Sequence, residues 1–186
     1  MSRSYSFRTV IEGREAEVRI HEPNYAGEVE DAKLFKVIVF DSEGRVLAVR
    51  TKRVIDLPGG RVEWEDDTLA EAARREVLET ARVMLGPLAL AAVLAATPAG
   101  GGPPLSATTT VVLASRAVAT SAARATLRMD RHAFLGVSKL LQRYNAGPTD
   151  LLRVLIDMAD FALLDEAPGA DAMTRKRAST TSRLLK

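Results

Sequence analysis

The feature that most constrains the fold is a glycine corner that leads into an acidic loop and then a helix, within residues 57–83. Gly59 and Gly60 allow a tight turn, and they let a ligand approach the main chain closely. The loop after them carries four acids, which are Glu63, Glu65, Asp66 and Asp67. Beyond the loop, apolar residues recur with the period of a helix. This order predicts that the loop and the helix line one site.

Strands and helices are expected on both sides of this segment. The expected strands alternate in polarity or are rich in β-branched residues, and they cover residues 7–20 (a strand or hairpin), 33–40, 45–50, 88–95 and 108–114. A turn signal at residues 41–44 predicts that the second and third of these form a hairpin with one buried face. Thr68 and Glu71 fit a capping box at the start of a helix. The expected helices cover residues 68–85, 131–144 and 148–164.

Two glutamates on the first of these helices are candidate metal ligands. Glu76 and Glu79 are three residues apart, so they lie on the same face of the helix. Two carboxylates near free backbone carbonyls suit a hard divalent cation, and magnesium completes its shell with waters and substrate phosphates. Such an ion neutralises phosphate charge and activates water. The alternative is a solvated helix face, since acids near a helix N-terminus are favourable without any ligand.

The strings LPGGRVE and AARREVLE, separated by the acidic loop, resemble the Nudix box, and the resemblance extends over about residues 34–164. It implies an α/β fold, the Nudix-type α/β/α sandwich with a mixed β-sheet. It also implies hydrolysis of a pyrophosphate bond in a nucleoside diphosphate linked to another group, or in a related polyphosphate. The cofactor implied is Mg²⁺ or Mn²⁺, held by Glu76, Glu79 and the carbonyl of Gly60.

A narrower similarity connects the chain with the diphosphoinositol-polyphosphate and diadenosine-polyphosphate branch of this family. It rests on the string VEWEDDTLAEAARRE, the string GPLAL and the late helix.

The sequence departs from the Nudix box at several positions. With the motif's seven residues placed before Arg75, the expected glutamate position falls on Asp67, a shorter acid, and the gap from Gly60 then holds six residues instead of five. The resemblance implies that Arg75 braces the loop acid, here Asp67, and that Asp67, with Asp66 as a second candidate, orients water or braces Arg75. An ordinary surface ion pair is the alternative for Arg75. Thr80 replaces the second glutamate of a pair, and Arg82 replaces a glycine.

The loss of the carboxylate at Thr80 weakens the expected metal site, because a hydroxyl is a neutral ligand. The loop at residues 99–119 carries no acid that would replace it, which leaves Glu63 and Asp130 as substitutes. Two hypotheses follow. The first is an active hydrolase that uses Glu76, Glu79, Asp67 and Arg75. The second is a catalytically weak or inactive Nudix-like module that binds a nucleotide, RNA or a protein partner.

Three further side chains are candidates for substrate contacts. Arg50 and Arg53 precede the glycine corner and are expected to contact phosphates, unless they form a solvated strand end. Trp64 lies within the acidic loop. It is expected to stack on a base or cap the pocket, or else to anchor the loop by packing against the protein.

Composition excludes several classes of site. The chain contains no cysteine, which excludes disulfides, thiolate metal sites and cysteine nucleophiles. Its two histidines, His21 and His132, are far apart in sequence, which argues against a histidine-rich zinc site. No apolar run approaches the roughly 20 residues that span a bilayer. The basic, serine-bearing N-terminus resembles a transit peptide, so mitochondrial targeting is the alternative to the expected cytoplasmic location.

We expect three parts in the chain: an N-terminal extension at residues 1–30 with a strand or hairpin, a Nudix-like domain at 31–166, and a disordered basic tail at 167–186. The tail has five basic residues against one acid, a net charge of +4, which leaves −2 for the rest of a chain whose total is +2. The expected partner is a phosphorylated small molecule derived from a nucleotide, with homodimerisation an open alternative. Nucleic acid is less favoured, because such a tail attracts it only non-specifically. A subunit of a larger assembly, attached through the tail, is a third hypothesis.

Overall fold

The computed structural model of the chain describes residues 5–11, 13–21, 32–100, 105, 108–118 and 132–165. Within these residues the strands are β1 (Tyr5–Ile11), β2 (Arg14–His21), β3 (Leu34–Phe40), β4 (Val46–Thr51), β5 (Val54–Asp56), β6 (Gly59–Arg61), β7 (Met84–Pro98), β8 (Thr109–Val118) and β9 (His132–Leu135). The helices are α1 (Leu69–Ala81), α2 (Val137–Arg143) and α3 (Thr149–Asp165).

All the described strands belong to one mixed sheet. Its order is β1-β2-β7-β8-β3-β4-β5, with β6 paired to β3 and β9 paired to β4. β3 and β8 run parallel, whereas the neighbouring pairs β2–β7 and β7–β8 are antiparallel. A parallel pair at the centre of antiparallel strands requires a crossover connection, and α1 lies in that connection.

Helices cover the sheet on both faces, so the chain forms the expected α/β/α sandwich. One apolar cluster joins α1 to the sheet through residues such as Val77, Phe35 and Leu113. A second cluster joins α2 and α3 to the opposite face through residues such as Leu140 and Ile156. Two separate cores on one sheet are what a three-layer domain requires, because each face must be buried against its own helices.

The hairpin predicted for residues 33–50 is present, but its predicted burial is wrong. β3 and β4 pair at Phe40 and Val46, while β3 also pairs with β8 and β6. Val37 packs with the α1 cluster and Ile38 with the opposite cluster. Both faces of β3 are therefore buried, because the strand lies at the centre of the sheet.

Two predicted helices are shorter than expected. α1 ends at Ala81, and Met84, which was expected on the helix, begins β7. The helix predicted for residues 131–144 is a strand followed by a short helix: His132 pairs with Val49 in the sheet, and α2 begins at Val137. In both places pairing with a neighbouring strand overrides helix propensity: Met84 pairs with Val118 and His132 pairs with Val49.

The hairpin expected near the N-terminus is formed by β1 and β2, and β2 continues the sheet through β7. Residues 22–31 and the predicted tail at 167–186 lie outside the described residues. Among the helices that the structure describes, none is both long and apolar enough to cross a membrane.

Candidate active site

The glycine corner is pressed against the central strand of the sheet. Gly59 pairs with Lys36 of β3, and a Cβ on Gly59 would lie 2.3 Å from the carbonyl oxygen of Phe35. No side chain fits that space. The preceding Pro58 accepts a hydrogen bond of 2.8 Å from the amide of Val37. The corner is therefore fixed to β3 by backbone contacts that only glycine permits.

Glu76 lies on the other side of the corner, where it meets Gly60. A Cβ on Gly60 would be 3.2 Å from Oε2 of Glu76. Glu76 is half-buried on α1, one residue before the buried Val77. The structure thus brings one of the two predicted metal ligands against the predicted glycine.

The loop is tied to the helix by an ion pair between Asp66 and Arg75. Nε of Arg75 donates to Oδ1 of Asp66 at 2.9 Å, and a terminal guanidinium nitrogen donates to Oδ2 at 2.8 Å. The Asp66 side chain is 4% exposed, and it also accepts the amide of Glu63 at 2.8 Å. The Arg75 guanidinium and this amide lower the pKa of Asp66, and Asp66 raises the pKa of Arg75. A bidentate pair between arginine and a carboxylate is stronger than a single hydrogen bond, and it fixes the relative orientation of the two side chains.

Asp66, the second candidate, therefore braces Arg75, and the prediction of Asp67 for this role is wrong. Asp67 is exposed and contributes its amide, which donates to the carboxylate of Glu71 at 3.1 Å. With Asp66 as the bracing acid, five residues separate it from Gly60, as the Nudix box requires. The extra residue falls instead between Asp66 and Arg75, at the start of α1.

A capping box closes the start of α1, as the sequence predicts. The hydroxyl of Thr68 accepts the amide of Glu71 at 3.1 Å, and the Glu71 carboxylate accepts the amide of Thr68 at 3.2 Å. Two amides that the helix leaves without partners are satisfied in this way. The loop therefore enters the helix in a fixed orientation.

The face of α1 beyond Glu76 is open. Glu79 is 62% exposed and lies 3.6 Å from a guanidinium nitrogen of Arg75. Thr80 is exposed, and its hydroxyl donates to the main-chain carbonyl of Glu76. The same hydroxyl lies 3.4 Å from Oε1 of Glu76. Among the described residues, no group of three or more histidine, cysteine, aspartate or glutamate side chains is placed to hold a metal ion.

Arg82 ends α1 in a conformation that favours glycine. Its φ is 55° and its amide donates to the carbonyl of Leu78 at 3.0 Å. A residue with a Cβ is strained in this left-handed region, and helices commonly end there on glycine. The substitution seen in the sequence thus occurs at a position where the backbone still adopts the shape that glycine prefers.

The three predicted substrate-contact residues are all on the surface. Arg50 is exposed and donates to the carbonyl of Lys52 at 3.0 Å; Arg53 is also exposed. Trp64 is 90% exposed, so the interpretation of Trp64 as a packed anchor is wrong. Asp130, the predicted substitute acid, lies outside the described residues, and Glu63 is exposed beside the Asp66 turn.

Sequence reasoning missed two contacts that hold the corner. Lys36 and Asp56 form an ion pair, and the other oxygen of Asp56 accepts the amide of Leu57 at 2.7 Å. Asn145 accepts the amide of Ile55 at 2.7 Å and donates to the carbonyl of Arg53 at 2.9 Å. These partners are distant in sequence, so no local sequence pattern predicts that they are in contact.

Solved structures of similar shape come from several bacteria. A pyrophosphohydrolase from Bacillus subtilis, BsRppH, is 14% identical with a TM-score of 0.60, and the match covers 90% of this chain and 99% of that chain. A NUDIX hydrolase from Nitrosomonas europaea is 19% identical with a TM-score of 0.49, covering 67% and 85%. The NUDIX domain of Shewanella oneidensis NrtR, solved with ADP ribose, is 18% identical with a TM-score of 0.48, covering 70% and 86%. The first of these supports the fold alone.

Comparison with curated proteins gives no match. The family model described as the NUDIX domain matches residues 31–137. That range includes the glycine corner, the acidic loop, α1 and the whole centre of the sheet. Since it is more than half of the chain, the protein belongs to the NUDIX domain family.

Proposed function

We propose that the chain is a divalent-metal-dependent pyrophosphohydrolase that acts on a nucleoside diphosphate linked to another group, or on a related polyphosphate. The observation that carries the proposal is the contact of Glu76 with Gly60, where Oε2 lies 3.2 Å from the position of a Cβ. The carboxylate of Glu76 thus faces the backbone of a glycine, and no side chain of Gly60 separates the two. A cation with bound phosphates is a ligand that carboxylate and backbone oxygens accept together.

The contacts that fix the neighbouring residue, Arg75, favour the same function. Arg75 precedes Glu76 on α1, and Asp66 holds it through two hydrogen bonds. The helix residue next to the carboxylate is thus tied to the loop that starts at Gly60. Catalytic groups must be held within a fraction of an ångström, because a misplacement of about 1 Å costs about a hundredfold in rate.

The residues at this place suit a cation whose coordination shell is completed by the substrate. Glu76 and the carbonyl of Gly60 would hold Mg²⁺ or Mn²⁺, and Glu79 would join when its carboxylate leaves Arg75. Magnesium sites of this kind keep several waters and substrate phosphates, so few protein ligands suffice. A bound ion would neutralise phosphate charge and lower the pKa of a water.

The remaining predicted residues have proposed roles around this centre. Asp67 is exposed at the start of α1 and would orient water, whereas Asp66 would act through Arg75. Arg50 and Arg53 are exposed cations that would contact phosphates. Trp64 offers an exposed aromatic ring on which a base would stack.

The test is hydrolysis of a substrate panel with Mg²⁺ or Mn²⁺, including ADP ribose, the ligand named for the Shewanella oneidensis domain. Glu76→Gln should lower kcat/KM by about a hundredfold, as removal of a group acting in catalysis usually does. Thr80→Glu adds an anionic group on the same helix face and should raise metal-dependent kcat/KM about tenfold.

Glu15→Gln is the matched control, because it makes the same change of charge at an exposed position on β2. Its rate should equal that of the unmodified protein. Turnover that is equal in Glu76→Gln and Glu15→Gln would overturn the proposal.

The second candidate is a module that binds a nucleotide, RNA or a protein partner without turnover. Two observations favour it: Thr80 is neutral, and the carboxylate of Glu79 is directed to Arg75. Calorimetric binding of ADP ribose with no hydrolysis in either metal would support it. A large gain of turnover in Thr80→Glu alone would indicate that the chain keeps the scaffold of an enzyme whose ligand set has decayed.

A further inference from the structure

The two glycines of the corner face opposite sides, and each is in contact with a charged side chain. A Cβ on Gly60 would be 3.2 Å from the carboxylate of Glu76. A Cβ on Gly59 would be 2.8 Å from Cδ of Lys36. Only the backbone of two glycines therefore separates the stem of Lys36 from the proposed metal ligand.

The ammonium group of Lys36 is held by an ion pair with Asp56. The two side chains are 33% and 24% exposed, so water screens the pair only in part. Asp56 stands one residue before the corner, and its second oxygen accepts the amide of Leu57 at 2.7 Å. One carboxylate thus joins β3 to the start of the corner through Lys36 and through the main chain.

Tyr144, the residue that follows α2, lies on the same side of the sheet as the pair and close enough to Asp56 to feel its charge. It packs against the apolar cluster on that face of the sheet. Burial, and then the charge of Asp56, raise the pKa of Tyr144. Because both side chains of the pair are mostly covered, their attraction is stronger than that of a fully exposed pair.

We propose that Lys36 is a positioning residue for the Glu76 site: its ion pair with Asp56 holds the corner of residues 57–60 at the height at which Gly60 meets Glu76. This inference rests on the proposed function, since it assigns a role in that site to a residue that does not touch substrate. The neighbouring contact from Val37 to Pro58 fixes the same corner through the backbone. Side chains that orient the groups around a metal commonly change its affinity without touching it.

The charge of Lys36 allows a positioning role to be distinguished from direct electrostatic repulsion between its ammonium group and the cation. Removal of a positive charge near a cation site strengthens cation binding through space. Loss of positioning weakens it. Lys36→Met keeps an apolar stem beside Gly59 and removes the ammonium group, so the direction of the change decides between the two.

The experiment measures the Mn²⁺ dissociation constant by electron paramagnetic resonance in Lys36→Met, Lys36→Arg and the control Lys139→Met. Lys139 is exposed on α2, so Lys139→Met removes the same charge at an exposed position outside the pair. We expect Lys36→Met to bind Mn²⁺ about tenfold more weakly, Lys36→Arg to restore most of the affinity, and Lys139→Met to change nothing. With substrate, kcat should fall more than KM rises.

Hydrogen exchange gives a readout that does not depend on metal. The amides of Val37 and Leu57 donate to Pro58 and Asp56, so they report the corner. In Lys36→Met we expect both to exchange about tenfold faster, since their local opening becomes easier. The amide of Arg82, at the far end of α1, should keep its rate.

Tighter Mn²⁺ binding in Lys36→Met, or unchanged exchange of Val37 and Leu57, overturns the proposal. Failure of the proposed function has another signature: the unmodified protein would not bind Mn²⁺, and Glu76→Gln would change nothing. In that case exchange alone decides whether Lys36 holds the corner, and unchanged rates still refute it.

Discussion

The two halves of the Nudix segment differ in how completely they are built. In the loop half (residues 57–68 with Arg75), the corner, the acidic turn and the capping box are closed by hydrogen bonds, and Asp66 is almost fully buried. In the helix half (residues 76–82), Glu79 and Thr80 are exposed, and Arg82 adopts a strained backbone conformation. The loop half carries the supporting contacts, and the helix half carries the carboxylates that are proposed as metal ligands.

Under the proposed function, the residues that support the site are therefore separate from its carboxylate ligands. The contacts of the loop half depend on the close approach of Gly59 to β3 and on the paired hydrogen bonds between Asp66 and Arg75. The departures at Thr80 and Arg82 leave those contacts in place. Substitutions in the loop half should therefore have the larger effects on stability, and substitutions of Glu76 and Thr80 the larger effects on the proposed activity.

The largest effect should come from Gly59→Ala. Its Cβ would lie 2.3 Å from the carbonyl of Phe35, and this backbone atom is fixed in the central strand. Overpacking of this kind costs about 3 kcal/mol in free energy of unfolding, which chemical denaturation would measure. Gly136→Ala is the control, because a Cβ there meets nothing within 4 Å. Equal stability of the two variants would break the comparison.

Asp66→Asn should follow, with a loss of about 2 kcal/mol, because a charged hydrogen-bonded pair is broken at a part-buried position. Asp67→Asn is the matched control: it makes the same change one residue later, where the side chain is exposed. Thermal and chemical denaturation of both variants would check the assignment of Asp66 as the partner of Arg75. A larger loss in Asp67→Asn would reverse it.

In the helix half, Arg82→Gly should stabilise the protein by about 1 kcal/mol, since it relieves a left-handed backbone at φ 55°. Arg74→Gly should have the opposite sign and a similar size, because glycine is unfavourable inside a helix. If denaturation showed that both variants lose stability, the strain at Arg82 would be compensated by contacts of its side chain.

The smallest effect is a pH dependence. The folded pKa of Asp66 is lowered from its ordinary value of 3.8, chiefly by the hydrogen bonds from Arg75. The stabilisation is therefore fully present above that value and is lost as the pH falls toward the folded pKa. Free energies of unfolding measured from pH 6 to pH 3 should fall more steeply for the unmodified protein than for Asp66→Asn. Parallel curves would mean that Asp66 titrates alike in both states.

Much of the fold could be predicted from patterns local to the chain. The apolar run of β3 predicts a strand, and the capping box at Thr68 predicts the start of α1, each from only a few neighbouring residues. The end of α1 could not be located, because Met84 satisfies both a helical period and the first position of a long strand. The strand at His132 likewise depends on its partner Val49, which lies far away in sequence.

The site was predictable to the same limit. The resemblance to the Nudix box predicted Gly60, Arg75 and Glu76 as site residues, and the structure brings Glu76 to Gly60. An extra residue between the corner and the helix left both Asp66 and Asp67 as candidates for the loop acid. Burial of Asp66 against Arg75 decides between them, and burial is a property of the folded chain. Lys36 and Asp56 belong to different strands, and their pairing follows from the sheet alone.

Trp64 gives the loop half an optical label of its own. The chain contains one tryptophan, and it stands at a turn that the amide of Asp66 closes onto the carbonyl of Glu63 at 3.2 Å. Indole fluorescence therefore arises from this turn alone. A nucleotide, a partner or a second molecule that covers the ring would quench or shift the emission, so an unlabelled sample reports when the acidic loop is occupied.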